Sequence, residues 1–109
     1  MTKAVQGIWI IDAEANTLYA NLAMAEILGT DISRLIGQPS FTYVYPEDAT
    51  VAQQLFDSKS HGDAAPFRFR LRRADGSAIW VNVQGTPMNS AKGEFVGIVG
   101  TFEVSDVQS

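Results

Sequence analysis

The side chains best suited to catalysis in this sequence are carboxylates that have no suitable partner beside them. General acid–base and nucleophilic catalysis need a carboxylate or imidazole held against the group it activates. These carboxylates fall at predicted turns and helix ends, where capping and solvation explain them: Asp12, Glu14, Glu26, Glu47 and Asp48. Because no motif places a histidine, cysteine or serine next to any of them, we expect no enzymatic activity.

The single histidine and the lack of cysteine restrict metal and cofactor chemistry. His61 lies in a polar, glycine-containing loop after the longest predicted helix, where a solvated side chain is expected rather than a haem ligand. Without cysteine, the chain can form no disulfide, thiolate metal site, thiol nucleophile or thiol-linked flavin. A noncovalent flavin stays open but has no pattern to support it. We therefore predict no cofactor, neither haem nor flavin, and no metal.

Residues 67–85 carry the clearest pattern, a predicted hairpin with two different faces. Apolar side chains alternate with guanidinium groups in the order Phe67, Arg68, Phe69, Arg70, Leu71 and Arg72. Asp75 and Gly76 supply the turn, and residues 78–84 alternate again with Trp80 on the more polar face. The arginine row is either a solvated face with paired charges or a site for an anionic partner. Trp80 is either an isolated surface aromatic or the anchor of a dimer contact.

The remaining pattern predicts the elements that position these residues. Strands are expected at 7–12, 17–21 and 94–102, short helices at 22–28 and after Asp31, a helical turn at 41–45, and the longest helix at 46–60. Asn16 is the expected left-handed residue of the first turn, and residues 87–93 are expected to be a connection. Gly97 and Gly100 mark places in the last strand where bulk is unwelcome. Five antiparallel strands with helices on one side, an α+β fold, is the economical arrangement.

Composition indicates one ordinary globular domain. The 109 residues are 46% hydrophobic and 18% charged, so we assign residues 1–109 to a single domain, with a linker beginning at 104–109. A net charge of −4 disfavours nucleic acid and anionic membrane surfaces. No apolar run reaches the roughly 18–20 residues that span a bilayer, and the start lacks a signal-peptide core. We expect no membrane insertion and a cytoplasmic location.

Five short motifs in order make the chain resemble a PAS domain. They are Gly-Ile-Trp-Ile-Ile-Asp with Thr-Leu-Tyr-Ala-Asn at 7–21, the paired-glycine segment 27–37, Val-Tyr-Pro-Glu-Asp at 44–48, the hairpin 68–83, and Gly-Thr-Phe-Glu-Val-Ser-Asp at 100–106. Tyr45 stands where the family commonly has histidine, and the first hairpin lacks the family's usual glycine. Glu103 and Ser105 keep the acid and hydroxyl of the closing motif.

The resemblance implies a sheet of order 2-1-5-4-3 that can enclose a small ligand on its concave face. It also implies dimerisation and signal relay through the opposite face and the termini, with Trp80, Arg70, Glu103 and Ser105 as candidates. We therefore expect a sensory or signal-relay module of a bacterial histidine kinase, as in two-component systems, or of a cyclic-dinucleotide enzyme, with a linked output domain. The alternative is a ligand-free homodimerisation module.

A ligand pocket, if the core leaves one, is predicted from the apolar residues of these elements. The candidate lining is Ile8, Ile10, Leu28, Ile36, Phe41, Tyr43, Phe56, Phe69, Val81 and Val99, with Tyr19, Tyr43 and Asn21 as polar groups. The same residues could instead pack into a solid core. The sequence leaves these two outcomes open.

Overall fold

The computed structural model describes residues 6–105, which form one antiparallel sheet with helices packed on one face. The strands are β1 (Gly7–Asp12), β2 (Thr17–Ala20), β3 (Phe67–Arg72), β4 (Ala78–Asn89) and β5 (Phe95–Val104). The helices are α1 (Leu22–Leu28), α2 (Ile32–Leu35) and α3 (Ala49–Ser60), with 3₁₀ helices at Ser40–Tyr43 and Pro46–Asp48. The strand order is β2-β1-β5-β4-β3, which confirms the predicted fold.

The predicted hairpin is present as β3 and β4, and its register separates two faces of the sheet. Phe69 pairs with Val81, and these side chains face the helices on what we call the inner face. Arg70 pairs with Trp80, one residue out of phase. Since side chains alternate along a strand, Trp80 belongs to the opposite, outer face. The period-two pattern thus assigned the two faces of this hairpin correctly.

The turn between β1 and β2 differs from the prediction at one residue. Ala15, with φ of 66°, occupies the left-handed region, and Asn16 does not. Asp12 causes this, because its Oδ1 accepts hydrogen bonds from the backbone N–H groups of Glu14 and Asn16, both at 2.9 Å. Because the Asp12 carboxylate fixes the turn from its first residue, the left-handed conformation falls at Ala15, one residue before the predicted Asn16.

The second hairpin connection is shorter than predicted because β4 continues through residues 87–89. Pro87 pairs with Ile98 of β5, although proline cannot donate to a strand ladder. It is tolerated because β3 reaches only as far as Val83, so this part of β4 has a neighbour on one side only. β5 likewise extends to Val104, and Ser105 N donates to Trp80 O, so the first two residues of the segment 104–109 are attached to the sheet. Residues 106–109 lie outside the described residues.

The first two helices seal one half of the inner face. Asn21 caps α1 by accepting from Met24 N at 2.9 Å, and Gly29 ends the helix with a φ of 72°. Met24, Leu28 and Leu35 are fully buried against the sheet. Burying side chains of this size contributes roughly 1.5–3 kcal/mol each to folding. This packed region anchors the helical layer.

Within residues 6–105, no helix combines the length and the apolar character needed to cross a membrane.

Candidate ligand-binding cavity

An apolar cavity of about 130 Å³ lies between the inner face, α3 and the first 3₁₀ helix. Its walls come from all three of these parts, including Phe41, Leu55, Phe56, Phe69, Val83 and Ile98. Its volume is close to that of an apolar cavity, about 150 Å³, that binds benzene. The two outcomes left open by the sequence are therefore both present, a packed core under α1 and an open space under α3.

Two glycines form part of the floor of the cavity. Gly85 of β4 and Gly100 of β5 pair directly across the ladder, and both line the cavity. A Cβ on Gly100 would approach Cε1 of Phe102 to 2.7 Å, too close for a real contact. A Cβ on Gly85 would meet Lys59 Cε at 3.4 Å and Ile98 Cγ2 at 3.5 Å. The absence of a Cβ therefore lets the Phe102 ring pack directly on Gly100 and the Lys59 side chain pack directly on Gly85.

Edge-to-face aromatic contacts form one side of the cavity. The ring of Phe56 on α3 lies 6.5 Å from that of Phe41 and 5.8 Å from that of Phe95, both near perpendicular. Phe67 and Phe69 make a similar contact at 6.4 Å along β3. Such pairs add roughly 0.5–1.5 kcal/mol beyond the burial of their area. They hold the cavity wall in place without filling the space.

One charged residue, Lys59, lines this otherwise apolar cavity. Its side chain is 3% exposed, and it is the only buried residue of α3. Nζ donates to Ala65 O at 2.6 Å and lies 5.2 Å above the Phe67 ring. The sequence analysis missed Lys59, although its spacing of seven from Ala52 and four from Leu55 puts it on the same helical stripe.

Three of the predicted pocket residues, Phe41, Phe56 and Phe69, line the cavity. Leu28, Tyr43 and Val81 do not line it and belong to the packed core instead. Ile36 and Tyr19 are half exposed, at 47% and 48%. Leu28, Tyr43 and Val81 differ from the prediction because they are buried in the packed core. Tyr19 differs because it pairs with Ile10 on the outer face, and Ile36 because it is exposed at the end of α2.

The prediction for β1 and β5 chose the wrong face of the sheet. Ile10 pairs with Val99, and both lie on the outer face with Ile8, whereas Trp9 and Ile11 line the cavity. A continuous apolar run has no alternation to show which residues point inward, so the sequence could not decide this. Asn21 is structural, since its Oδ1 accepts from Ile8 N and Met24 N.

Arg70, a predicted interface residue, is bound within the domain. Its Nε and Nη2 donate to Oδ2 of Asp48 at 3.0 and 2.8 Å, and its guanidinium lies 4.4 Å over the Tyr45 ring. The hydrogen bonds with Asp48, followed by the charges of Asp48 and Glu47, raise the pKa of Arg70 above its ordinary value. These contacts tie the entry to α3 onto β3. Asp48 therefore stabilises this junction through Arg70 rather than by capping the helix.

The other predicted interface residues meet at the end of β5. Arg68 stacks on the Trp80 ring at 4.2 Å and donates from Nε to Oγ of Ser105 at 3.2 Å. Ser105 is buried, while Glu103 is exposed and pairs with Asn82. A cation held over an aromatic face in this way is attracted by the ring quadrupole. The structure brings Trp80 and Ser105 together, and their role in an interface or relay stays a prediction.

The loop at residues 61–66 follows α3 and contacts Lys59 through Ala65 O. Asp63 accepts from Ala65 N at 2.9 Å and from Ser58 Oγ at 2.8 Å, and Gln84 Nε2 donates to Ala64 O at 2.5 Å. The bond from Ala65, then that from Ser58 and the charge of Lys59, lower the pKa of Asp63. The loop is thus held at several points.

His61, at the start of this loop, is exposed, and its Nδ1 lies 2.7 Å from Asp57 O. It does not line the cavity. Among residues 6–105, no three histidine or acidic side chains come together in a way that could hold a metal ion.

The chain belongs to the PAS family, because the family's sequence model, described as the PAS fold, matches residues 2–104. It is a PAS sensory domain. Among curated proteins it is similar to the uncharacterized protein y4lL of Sinorhizobium fredii, with 26% identity over 94 residues. That match covers 85% of this chain, which spans only 11% of the relative's length.

Solved structures show the same fold at low identity. A light-oxygen-voltage domain studied with a flavin analogue matches with a TM-score of 0.80 and 20% identity, covering 94% of this chain and 79% of that one. A sensory box histidine kinase/response regulator from Burkholderia thailandensis matches with a TM-score of 0.68 and 21% identity, covering 93% and 77%.

Proposed function

We propose that this PAS domain binds a small, largely apolar ligand in the cavity under α3 and relays its presence to an output domain in a larger signalling protein. The open cavity is the observation that carries the proposal. Its relative y4lL is about nine times longer than the matched segment, and a histidine kinase is among the similar structures. The length of y4lL supports a module of a larger protein, and the similar structure supports a histidine kinase as that protein. A cyclic-dinucleotide enzyme is the alternative expected from the sequence.

Through the cavity floor, a bound ligand would contact two strands of the sheet directly and could change their conformation. Gly85 and Gly100 lie beneath the ligand space, and β5 runs from Gly100 to Glu103 and on to Ser105. A ligand can shift a conformational equilibrium only as far as it binds one state better than the other. In this proposal, ligand binding favours one of two ways in which α3 can pack against β5. The C-terminal end of β5 then transmits this conformational change to the output domain.

An NMR titration with toluene tests the binding step. We expect the amide signals of Gly85 and Gly100 to shift, because both residues line the cavity. Ala52→Leu places a larger side chain in the cavity, so it should abolish these shifts. Ala49→Leu is the matched control, since Ala49 is exposed on the same helix. Toluene binding that survives Ala52→Leu, or no binding to the unmodified protein, would contradict the proposal.

A second candidate function is ligand-free homodimerisation through the outer face. Tyr19 is 48% exposed there, and Ile8, Ile10, Val99 and Trp80 are only half buried. An apolar surface of this kind gains free energy when a second copy covers it. Sedimentation should then show a dimer that Trp80→Ala weakens and Val51→Ala, on exposed α3 surface, does not. A monomer at high concentration would count against this function.

A further inference from the structure

Aromatic side chains surround the cavity under α3. Within residues 6–105, the aromatic residues that line it come from three strands, from α3 and from the first 3₁₀ helix. They are Trp9, Phe41, Phe56, Phe67, Phe69 and Phe102. Because these rings come from different parts of the fold, a molecule in the cavity would have aromatic neighbours on several sides.

The same walls offer a ligand almost no polar surface. The ammonium of Lys59 donates to Ala65 O, and its Cδ and Cε lie over Gly85, so this side chain contributes methylene groups. The indole N–H of Trp9 already donates to Thr17 Oγ1 at 2.9 Å. Burying a charged or polar group without a hydrogen-bond partner is costly. A ligand that fits these walls therefore carries no charge.

Two pairs of the wall rings meet nearly at right angles. The planes of Phe41 and Phe56 differ by 75°, and those of Phe67 and Phe69 differ by 81°. A flat ligand ring that lies parallel to one ring of such a pair is therefore nearly perpendicular to the other. Offset-stacked and edge-to-face arrangements are the two that aromatic rings prefer, because of their quadrupoles. A saturated ring lacks this quadrupole and gains only from the burial of its surface.

We infer that the ligand of this cavity is an uncharged compound with a single aromatic ring. The wall rings favour an aromatic ligand over a saturated one, and the apolar surface excludes charge. The volume of about 130 Å³ limits the ligand to about one benzene ring, since an apolar cavity of about 150 Å³ binds benzene. This inference rests on the proposed ligand-binding function, because it names the ligand class of the same cavity.

Toluene and methylcyclohexane separate aromatic contacts from simple burial, because both are uncharged six-membered rings with one methyl group. Their binding to the unmodified protein is followed by the amide signals of Gly85 and Gly100. Each affinity is divided by the compound's measured water-to-hexane partition coefficient, which removes the difference in hydrophobicity. Toluene should then be favoured about 2- to 10-fold, which corresponds to the roughly 0.5–1.5 kcal/mol that an aromatic contact adds beyond area burial.

Phe69→Leu tests whether this preference comes from the wall rings, since leucine keeps an apolar side chain and removes the ring. It should lower the corrected preference for toluene by about twofold or more. Phe95→Leu is the matched control, because the Phe95 ring packs on Phe56 but does not line the cavity. Leu55→Ala is a second control, because it enlarges the cavity without removing a ring and so should leave the preference unchanged.

Naphthalene and benzoate test the limits on size and charge. After correction for its own partition coefficient, naphthalene should bind at least about tenfold more weakly than toluene, because its second ring exceeds the volume of the cavity. Benzoate should also bind at least about tenfold more weakly, because its carboxylate would be buried without a partner. Naphthalene or benzoate binding as tight as that of toluene would overturn the ligand class.

The remaining outcomes distinguish this inference from the function on which it rests. If methylcyclohexane binds as tightly as toluene after the correction, the aromatic class is wrong and a general apolar site remains. The same holds if Phe69→Leu lowers the preference no more than Phe95→Leu or Leu55→Ala does. If neither toluene nor methylcyclohexane binds, both the inference and the proposed function fail.

Discussion

The inner face of the sheet has two halves that differ in how completely they are packed. Under α1 and α2, the side chains of Met24, Leu28 and Leu35 have no exposed surface. Under α3, the corresponding apolar side chains are only partly buried, and the one buried residue of the helix is Lys59. Both halves use the same sheet and similar residue types. The difference therefore comes from the side chains that lie between each helix and the sheet.

Two glycines in the floor and the sideways packing of Phe56 distinguish the half under α3. Beneath α3, Gly85 and Gly100 remove two side chains from adjacent strands, and Phe56 packs against other rings at the side of the space. Protein interiors normally tolerate few voids larger than a water molecule. An open half beside a closed half gives the domain one rigid region and one region whose packing a ligand can complete.

The largest expected contrast comes from shortening a leucine in each half. Leu28→Ala should lower the free energy of unfolding by about 2–5 kcal/mol, because it creates a cavity in a filled core. Leu55→Ala should cost only about 1 kcal/mol, because Leu55 is half buried and already borders open space. Urea unfolding of the two variants measures this contrast. Equal losses would mean that α3 is packed as tightly as α1.

A smaller loss of stability is expected when the ion pair between Arg70 of β3 and Asp48 at the start of α3 is removed. Arg70→Met removes both hydrogen bonds to Asp48 and should lower the urea midpoint. Arg34→Met is the matched control, because Arg34 and Asp31 form an exposed pair at 3.6 Å whose side chains are 76% and 60% exposed. If Arg34→Met loses as much stability as Arg70→Met, the Arg70–Asp48 pair contributes no more to stability than an exposed ion pair.

The smallest expected effect is a pH dependence from the loop beside the cavity. The folded state lowers the pKa of Asp63 below 3.8, so its contribution to stability is present above that pH and disappears as the pH falls through the folded-state pKa. Asp63→Asn should therefore be less stable than the unmodified protein at pH 7, and the difference should shrink toward pH 3. Asp31 and Asp75 also have lowered pKa values, so some acid sensitivity will remain.

Urea unfolding at several pH values measures this effect. Glu26→Gln is the control, because Glu26 is exposed and its carboxylate makes no hydrogen bond or ion pair within residues 6–105. A stability difference for Asp63→Asn that stays constant from pH 7 to pH 3 would contradict the role given to its carboxylate.

The sequence predicted the strands and their order well because local patterns specify them. The alternation of residues 67–72, the Asp75-Gly76 turn and the glycine after α1 all lie within a few residues of the structure they determine. The family resemblance added the strand order, which the structure confirms. The Asp12 turn was misplaced by one residue because a side-chain hydrogen bond decided it.

The cavity was predicted only in part because packing between distant segments decides it. Phe41, Phe56 and Phe69 were identified from their apolar character, but nothing local indicates that Gly85 faces Gly100. Lys59 was missed because lysine is normally a surface residue, and its burial depends on the acceptor at Ala65 and the ring of Phe67. Conversely, Ile10 and Val99 were assigned inward because a continuous apolar strand does not reveal its faces.

Xenon binding tests most directly whether the half under α3 is open and the half under α1 is closed. Xenon occupies dry apolar cavities of this size. A crystal of the protein under xenon pressure should show one xenon site bounded by Phe56, Val83 and Gly100, and none beside Leu28 or Leu35. A crystal with no xenon under α3, or with xenon equally bound in both halves, would contradict the account.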